Sequence, residues 1–289
     1  MLRSKIRNSR LSLLFMLLLG LAFPAGLICA DDASDVTSAR ELASSSYYQI
    51  DANRFDQAQL TQALVKLGQA AKLNPDEPFV YLAASLANLV AGYRIGDWYE
   101  LNSFDAGTLE KSLPLAEKSV ELGPTVSQGY AQLGRLHILR KDFANAERNI
   151  SKAKELDPSN FYPWYFEGIY YEKLRDIASA NKAFDEAEVR ATRSDQRTNV
   201  NRHRSRVASI AHDPVQQEQL LLKNISLNPK DGRLYSEYAR FLMCKGGYEE
   251  SIVQWEKTLT LMPTWSYAQT NLTSARRLAA IEREKRTSC

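Results

Sequence analysis

The sequence predicts an all-α solenoid built from repeated pairs of helices, and two observations carry that prediction. Residue types at fixed positions recur with a period of 34 between Val126 and Arg193. Within each period the recurring positions are spaced three and four apart, which places them on one face of an α-helix. Each period therefore contains two helices, and successive pairs can stack on one another to bury a continuous core.

The recurring pattern has aromatic, small and large positions in its first helix, and small, large and small positions in its second. In the first block these positions are Tyr130, Gly134, His137, Ala146, Ile150, Ala153 and Pro158. Their counterparts 34 residues later are Trp164, Gly168, Tyr171, Ala180, Phe184, Ala187 and Thr192. Small residues fit where paired helices nearly touch, and proline follows a helix that has ended. Lys141-Asp142 and Arg175-Asp176 predict the turn inside each block.

The pattern resembles the tetratricopeptide repeat, whose 34-residue unit has the signature W-x2-L-G-x2-Y…A-x3-F…P. The resemblance implies a right-handed superhelical solenoid, and extending the register predicts about six repeats and a C-terminal capping helix. The predicted boundaries are 1–30 for a signal peptide or membrane anchor, 31–43 for a linker, then repeats at 44–77, 78–126, 127–160, 161–194, 198–231 and 232–265, and the capping helix at 266–286. The second repeat carries an insertion at about 92–107.

The N-terminus has the layout of a secretory signal. Four basic residues precede an uncharged run from Leu11 to Ala30, and the polar segment 31–35 follows. We expect cleavage after Ala30 and export, with the bacterial periplasm as the first choice. Two alternatives stay open: an uncleaved inner-membrane anchor with the repeats outside the cytosol, since about 20 apolar residues can span a bilayer, and a lipoprotein with its lipid on Cys29.

The charge balance argues against nucleic acid as a partner. The whole chain has 37 basic and 34 acidic residues, but four of the basic residues lie in the first ten positions. The chain without residues 1–30 therefore has 33 basic and 34 acidic residues, a net charge of −1. Binding to nucleic acid requires a strongly positive surface that displaces counterions from phosphates.

The resemblance implies that the first helices of the pairs line a concave groove that holds a protein or peptide. Helical spacing predicts an apolar half of that groove, formed by Phe79, Leu82, Leu86, Tyr162, Tyr165 and Ile169. It predicts a basic half formed by Arg202, Arg206, Arg233 and Arg240. Because arginine pairs with carboxylates, we hypothesise a partner with an apolar stretch next to an acidic one. The alternative is that the arginines form a solvated helix face.

The insertion in the second repeat is rich in aromatic residues and has no helical period. It contains Tyr93, Trp98, Tyr99 and Phe104. Long ordered loops on repeat arrays often bind ligands, but four aromatic side chains can equally pack against neighbouring helices and brace them. The sequence leaves both interpretations open.

The search for catalytic chemistry predicts that the protein is not an enzyme and has no metal or cofactor. Only three histidines are present, His137, His203 and His212, and none has a partner at metal-ligand or catalytic spacing. We interpret His137 as a packing residue and expect His203 at the surface. The sequence therefore predicts an exported, non-catalytic adaptor or scaffold for envelope or secretion machinery. The alternatives are a membrane-tethered scaffold or lipoprotein and, less favoured, a hydrolase with a hidden site. No small-molecule substrate is expected.

Overall fold

The structure is a computed structural model and describes residues 33–52, 56–94 and 103–287. Within these ranges it contains thirteen α-helices, no β-sheet, and one isolated antiparallel bridge between Tyr93 and Phe104. The predicted all-α class is therefore confirmed. The predicted signal or anchor at 1–30 lies outside the described residues, and none of the described helices is long and apolar enough to cross a membrane.

The helices follow one another in pairs with short connections. In order they are α1 Ala33–Ala52, α2 Gln57–Leu73, α3 Pro78–Gly92, α4 Thr108–Leu122, α5 Ser127–Arg140, α6 Phe143–Leu156, α7 Phe161–Leu174, α8 Ile177–Arg190, α9 Ser194–Ile210, α10 Pro214–Leu227, α11 Gly232–Cys244, α12 Tyr248–Leu261 and α13 Ser266–Thr287. Helix α1 packs against α2, α3 against α4, α5 against α6, α9 against α10, and α11 against α12. The chain divides into two compact units, Met1–Tyr170 and Tyr171–Cys289, here called the N-terminal and C-terminal units.

The predicted linker at 31–43 needs correction, because helix α1 begins at Ala33. The helix is fixed by a stripe of buried residues at helical spacing. Ala39, Ala43, Tyr47 and Ile50 are each at most 2% exposed. The stripe begins before the position at which the repeat register starts, so the register alone did not reveal it.

The turns inside the pairs have a common construction. Lys141, Arg175 and His212 each follow the first helix of a pair and have positive φ angles of 60°, 60° and 58°. The next residue is an aspartate that caps the second helix, as Asp176 does by accepting a hydrogen bond from the Ser179 N–H at 3.1 Å. A left-handed residue ends one helix and an N-cap begins the next, so two residues suffice to reverse the chain.

Close approach within a pair depends on the small residues of the repeat pattern. A Cβ atom at Gly134 in α5 would lie 2.7 Å from Cγ1 of Ile150 in α6, so only glycine fits without displacement. Ala146 and Ala153, which flank Ile150 on α6, are fully buried. The small and large positions that repeat in the sequence therefore fit together at the contact between α5 and α6.

Helix α13 covers the last helix pair of the C-terminal unit. Its residues Ala268, Leu272 and Ala275 form a buried cluster with Ala239 of α11 and Trp255 of α12. The Trp255 side chain is completely buried. Helix α13 thus has the packed apolar face that a terminal helix of a repeat array needs.

Candidate protein-binding surface

The first helices of the pairs in the N-terminal unit share one face, here called the first-helix face. It is formed by α1, α3, α5 and the part of α7 up to Tyr170. Side chains of these helices meet across it in a cluster of Tyr47, Tyr48, Asp51, Phe79, Gln128 and Tyr162, here called the inner cluster. Two of the six residues, Asp51 and Tyr162, are hydrogen-bonded although they lie 111 positions apart in the sequence, so only tertiary structure brings the cluster together.

The six apolar groove candidates do not form an open groove. Phe79, Leu82, Leu86, Tyr162, Tyr165 and Ile169 are each at most 6% exposed. Tyr165 stacks on Phe161 with ring centroids 5.2 Å apart, and Tyr47 contacts the ring of Tyr162 edge-on at 6.1 Å. The expectation that these residues are exposed is therefore corrected: packing between helices covers them. Whether they contact a partner stays a prediction.

An open cleft lies beside the inner cluster, between α1 and the start of α5. Its volume is about 510 Å³, within the range of roughly 300–1,000 Å³ typical of ligand sites. Its lining includes Arg40, Ser44 and Tyr48 of α1, Phe79 of α3 and Gln128 of α5. The cleft therefore exposes both polar and aromatic groups of the first-helix face.

The cleft has favourable positions for a negative group. The Arg40 guanidinium lies 5.8 Å from the centre of the Phe79 ring and has no ion pair within the described part of the chain. Helix α5 begins at the cleft, its N-cap is Val126, and Val126 has no side chain that can accept from the first-turn N–H groups. Asp157, the acidic residue in the lining, accepts hydrogen bonds from the Ser159 N–H and Oγ at 3.0 and 2.6 Å.

The four arginine candidates lie in the C-terminal unit, and three of them already face acidic groups. Arg202 Nε lies 2.7 Å from Glu237 Oε1, Arg233 Nε lies 2.9 Å from Asp231 Oδ1, and Arg206 Nη1 lies 3.8 Å from Glu172 Oε1. Arg240 is exposed and has no ion pair among the described residues. The predicted convergence of four available arginines is therefore corrected, because neighbouring carboxylates neutralise three of them.

The pKa of Asp231 reflects its contacts with Arg233 and Arg202. Burial acts to raise its pKa, but hydrogen bonds from Arg233 and the charges of Arg233 and Arg202 outweigh burial and lower the pKa below its usual value. Asp231 also caps α11 by accepting from the Arg233 N–H at 3.0 Å. An acidic ligand would have to compete with a carboxylate that is already well placed.

His203 is buried, although the sequence suggested a surface position. Its Nδ1 lies 2.5 Å from Oε2 of Glu172, and the two side chains are 2% and 5% exposed. The imidazole also stacks on Phe184 at 5.9 Å. The reason is that α9 turns polar residues, among them Thr198, Asn201, His203 and Ser205, into the core of the unit, where His203 meets Glu172 of α7 and Phe184 of α8. No pattern in the sequence linked His203 to Glu172.

The base of the insertion is closed by its own contacts. The Tyr93 and Phe104 rings meet edge-on at 5.8 Å, the Arg94 N–H donates to the Ser103 carbonyl at 2.9 Å, and Arg94 pairs with Asp105. Phe104 is 6% exposed. Trp98 and Tyr99 lie outside the described residues. The described part of the insertion thus braces itself, and its binding role stays a prediction.

Comparisons with known proteins support the fold. No family model matches the chain. It is 29% identical over 106 residues to Hsp70-Hsp90 organizing protein 2 of Arabidopsis thaliana, a match that covers 37% of this chain and 16% of that protein. A solved structure of the APC/C hetero-tetramer Cut9-Hcn1 is similar with a TM-score of 0.61 and 12% identity, covering 93% of this chain and 46% of that one. TTC0263, a thermophilic tetratricopeptide-repeat protein of Thermus thermophilus, is similar with a TM-score of 0.51 and 17% identity, covering 58% of this chain and 91% of that one.

The helix pairs, their turns and these similarities define a tetratricopeptide-repeat fold. The chain spans less than half the length of both the curated relative and the Cut9-Hcn1 chain that it matches. The similarity therefore concerns an array of repeats, which is one part of those proteins.

Proposed function

We propose that the protein is a non-catalytic adaptor that holds a segment of another protein in the cleft between α1 and α5. The cleft carries this proposal, because it is an opening of suitable volume on the first-helix face. The fold supports the proposal, and so does the name of the Arabidopsis thaliana relative, an organizing protein for Hsp70 and Hsp90. Resemblance in fold does not by itself assign a partner, so the partner is inferred from the chemistry of the cleft.

The chemistry of the cleft suits a segment with an acidic residue next to an apolar one. The acidic group would pair with Arg40 and accept from the first-turn N–H groups of α5, since both the guanidinium and a helix N-terminus favour negative charge. The apolar residue would lie against Tyr48 and Phe79 in the lining. Arg240, which has no ion pair among the described residues, is a second candidate contact for an acidic partner, and Arg240→Glu tests it at low salt.

The test of the cleft reverses one charge and measures partner affinity. A photo-crosslinking amino acid at Ser44 in the native cell, followed by mass spectrometry, identifies the partner segment. Calorimetry with that segment then compares Arg40→Glu with the native chain. We expect a loss of affinity of about tenfold or more, as for the removal of a charged hydrogen bond.

The matched control is Arg148→Glu, the same charge reversal on α6 at an exposed arginine without an ion pair among the described residues. It should leave affinity within about twofold of the native value, because exposed charges distant from a site are screened by salt. Equal affinities for Arg40→Glu and the native chain, or equal losses for both variants, would remove the cleft as the binding site.

We further propose that the adaptor acts outside the cytosol, in the assembly of envelope or secretion machinery. The sequence from Leu11 to Ala30 supports this, because an uncharged run after four basic residues is typical of an export signal. N-terminal sequencing of the protein purified from its native cell should give Asp31 as the first residue. A mature chain that starts at Met1 in the membrane fraction would favour the tethered scaffold, and one that starts at lipid-modified Cys29 would favour the lipoprotein.

A further inference from the structure

Two hydrogen bonds connect α1 to helices that are not its neighbours in the sequence. The Tyr162 hydroxyl of α7 donates to Oδ2 of Asp51 at 2.8 Å, and both side chains are buried. The Gln128 amide of α5 donates to the Tyr48 hydroxyl at 3.1 Å. These bonds join the first helix of the N-terminal unit to the first helices of the third and fourth pairs.

Stacking of repeats does not require such contacts. In a repeat array each unit contacts its neighbours, and stability comes from the repeats and their shared interfaces. The bonds from α1 instead reach the third and fourth pairs, and they join α1 to α5 and α7 across the first-helix face of the N-terminal unit. They are therefore an addition to the repeat packing, and the array can in principle lose them without losing its helix pairs.

The closed face contains groups that water would solvate well. Asp51 is 8% exposed. Arg135 of α5 is 2% exposed, with its guanidinium 5.9 Å from the centre of the Phe166 ring. Burial of a charged group costs free energy that its interactions must offset. Opening at α1 would return the Asp51 side chain to water, which offsets part of the loss of the two hydrogen bonds and of the aromatic contacts.

We propose that the Asp51–Tyr162 and Tyr48–Gln128 hydrogen bonds form a latch that controls access to the first-helix face of the N-terminal unit. With the latch closed, Tyr162 and Tyr165 are each 5% exposed, and Phe79 is 6% exposed at the edge of the cleft that it lines. With the latch released, α1 separates from α5 and α7, and these aromatic residues form an apolar surface continuous with the cleft. The latch itself does not depend on a partner; its role in admitting one rests on the proposed function.

The test removes one hydroxyl group from the latch. Tyr162→Phe deletes the donor to Asp51 and keeps the aromatic ring, so the packing of the ring is preserved. Hydrogen–deuterium exchange followed by mass spectrometry should show amide exchange in residues 44–52 faster by roughly three- to tenfold, the change expected for one net hydrogen bond. Fluorescence of 8-anilinonaphthalene-1-sulfonate, a probe of exposed apolar surface, should rise while the helical circular dichroism stays the same.

Two further variants separate a latch from general stability. Tyr170→Phe removes a hydroxyl from the same helix whose partner, Glu147 on α6, is outside the latch, and it should change neither readout. Asp51→Asn keeps an oxygen acceptor for Tyr162 and should exchange close to the native rate. Exchange that increases equally in all helices of the unit, or that stays at the native rate in α1 of Tyr162→Phe, would overturn the latch.

These readouts use no partner protein, so they remain interpretable if the cleft experiments fail. If the latch is present and partner affinity of Tyr162→Phe equals that of the native chain, the inference that the latch controls binding is overturned while the adaptor proposal stands.

Discussion

At the scale of residues, the turns between paired helices place three ordinary side chains in a conformation that glycine adopts more easily. Lys141, Arg175 and His212 have positive φ, and so does Gly246 at the corresponding turn after α11. A left-handed residue costs roughly 1–2 kcal/mol unless it is glycine. The sequence pairs Lys141-Asp142 and Arg175-Asp176 correctly predicted these turns, because helix termination and N-capping are local properties.

Two substitutions at these turns, one that removes a glycine and one that introduces a glycine, should change the stability in opposite directions. Gly246→Ala should lower the free energy of unfolding by about 1 kcal/mol through φ strain alone, since no atom lies within 4 Å of the position that its Cβ would take. Arg175→Gly should raise it by roughly 0.5–1 kcal/mol, because relief of strain outweighs the entropy that glycine loses on folding. Urea denaturation of both variants measures the difference. Destabilisation by both exchanges would show that φ strain is not the dominant effect.

Two asparagines show where residue types alone were insufficient. Asn201 takes an aromatic position of the pattern and is completely buried, and Asn224 takes a small position, the counterpart of Ala153, and is 1% exposed. The Asn224 amide donates to the Thr198 carbonyl at 3.2 Å. A polar side chain at either position does not by itself predict burial. The two side chains are buried because of contacts between helices of the C-terminal unit, and the 34-residue pattern does not predict those contacts.

At the scale of elements, the second helices of the pairs depend on their aspartate caps. Hydrogen bonds from Ser179 lower the pKa of Asp176, and hydrogen bonds from Asn145 lower the pKa of Asp142. A carboxylate whose pKa is lower in the folded chain stabilises the fold above its unfolded pKa of about 3.9. That stabilisation is lost as pH falls through the folded pKa.

Stability should therefore decrease as the pH falls from about 5 to 3, and Asp176→Asn should reduce that decrease. Asparagine is also a good N-cap, so this variant keeps the cap and removes the titration. Urea midpoints at pH 7 and pH 3 for the native chain, Asp176→Asn and Asp176→Ala provide the measurement. At pH 7 the alanine variant should be the least stable, and at pH 3 the native chain should lose more of its stability than the asparagine variant. An identical pH response of the native chain and Asp176→Asn would contradict the assignment.

Helix α1 and helix α9 were the elements predicted least well. The apolar stripe of α1 starts at Ala39, before the repeat register, and the first helix of that repeat lacks the full signature. Helix α9 is held partly by the buried pair of His203 and Glu172. A repeating hydrophobic pattern predicts neither feature. The stripe of α1 begins before the repeats that show the period, and the pair of His203 and Glu172 consists of polar residues from two helices.

At the scale of the whole molecule, the sequence correctly predicted the class of fold. The proposed function depends on which surfaces of that fold are accessible. The apolar candidates were chosen as residues of the first helices that point away from their own pair partners. All six are at most 6% exposed, and Tyr162 contacts Tyr47 and Asp51 of α1. Arg40 was missed because it precedes the recognised repeats. The arginine candidates, in turn, have acidic neighbours from other turns and helices.

The sequence by itself determined the helix pairs, their turns and the small residues at which they touch, because these depend on spacings of a few residues and on a period of 34. Only the tertiary structure decided which residues of the first helices are accessible. That outcome depends on contacts such as Tyr162 with Asp51, which join positions 111 residues apart. A local pattern determines which face of a helix is apolar, but burial of that face depends on all the helices that pack against it.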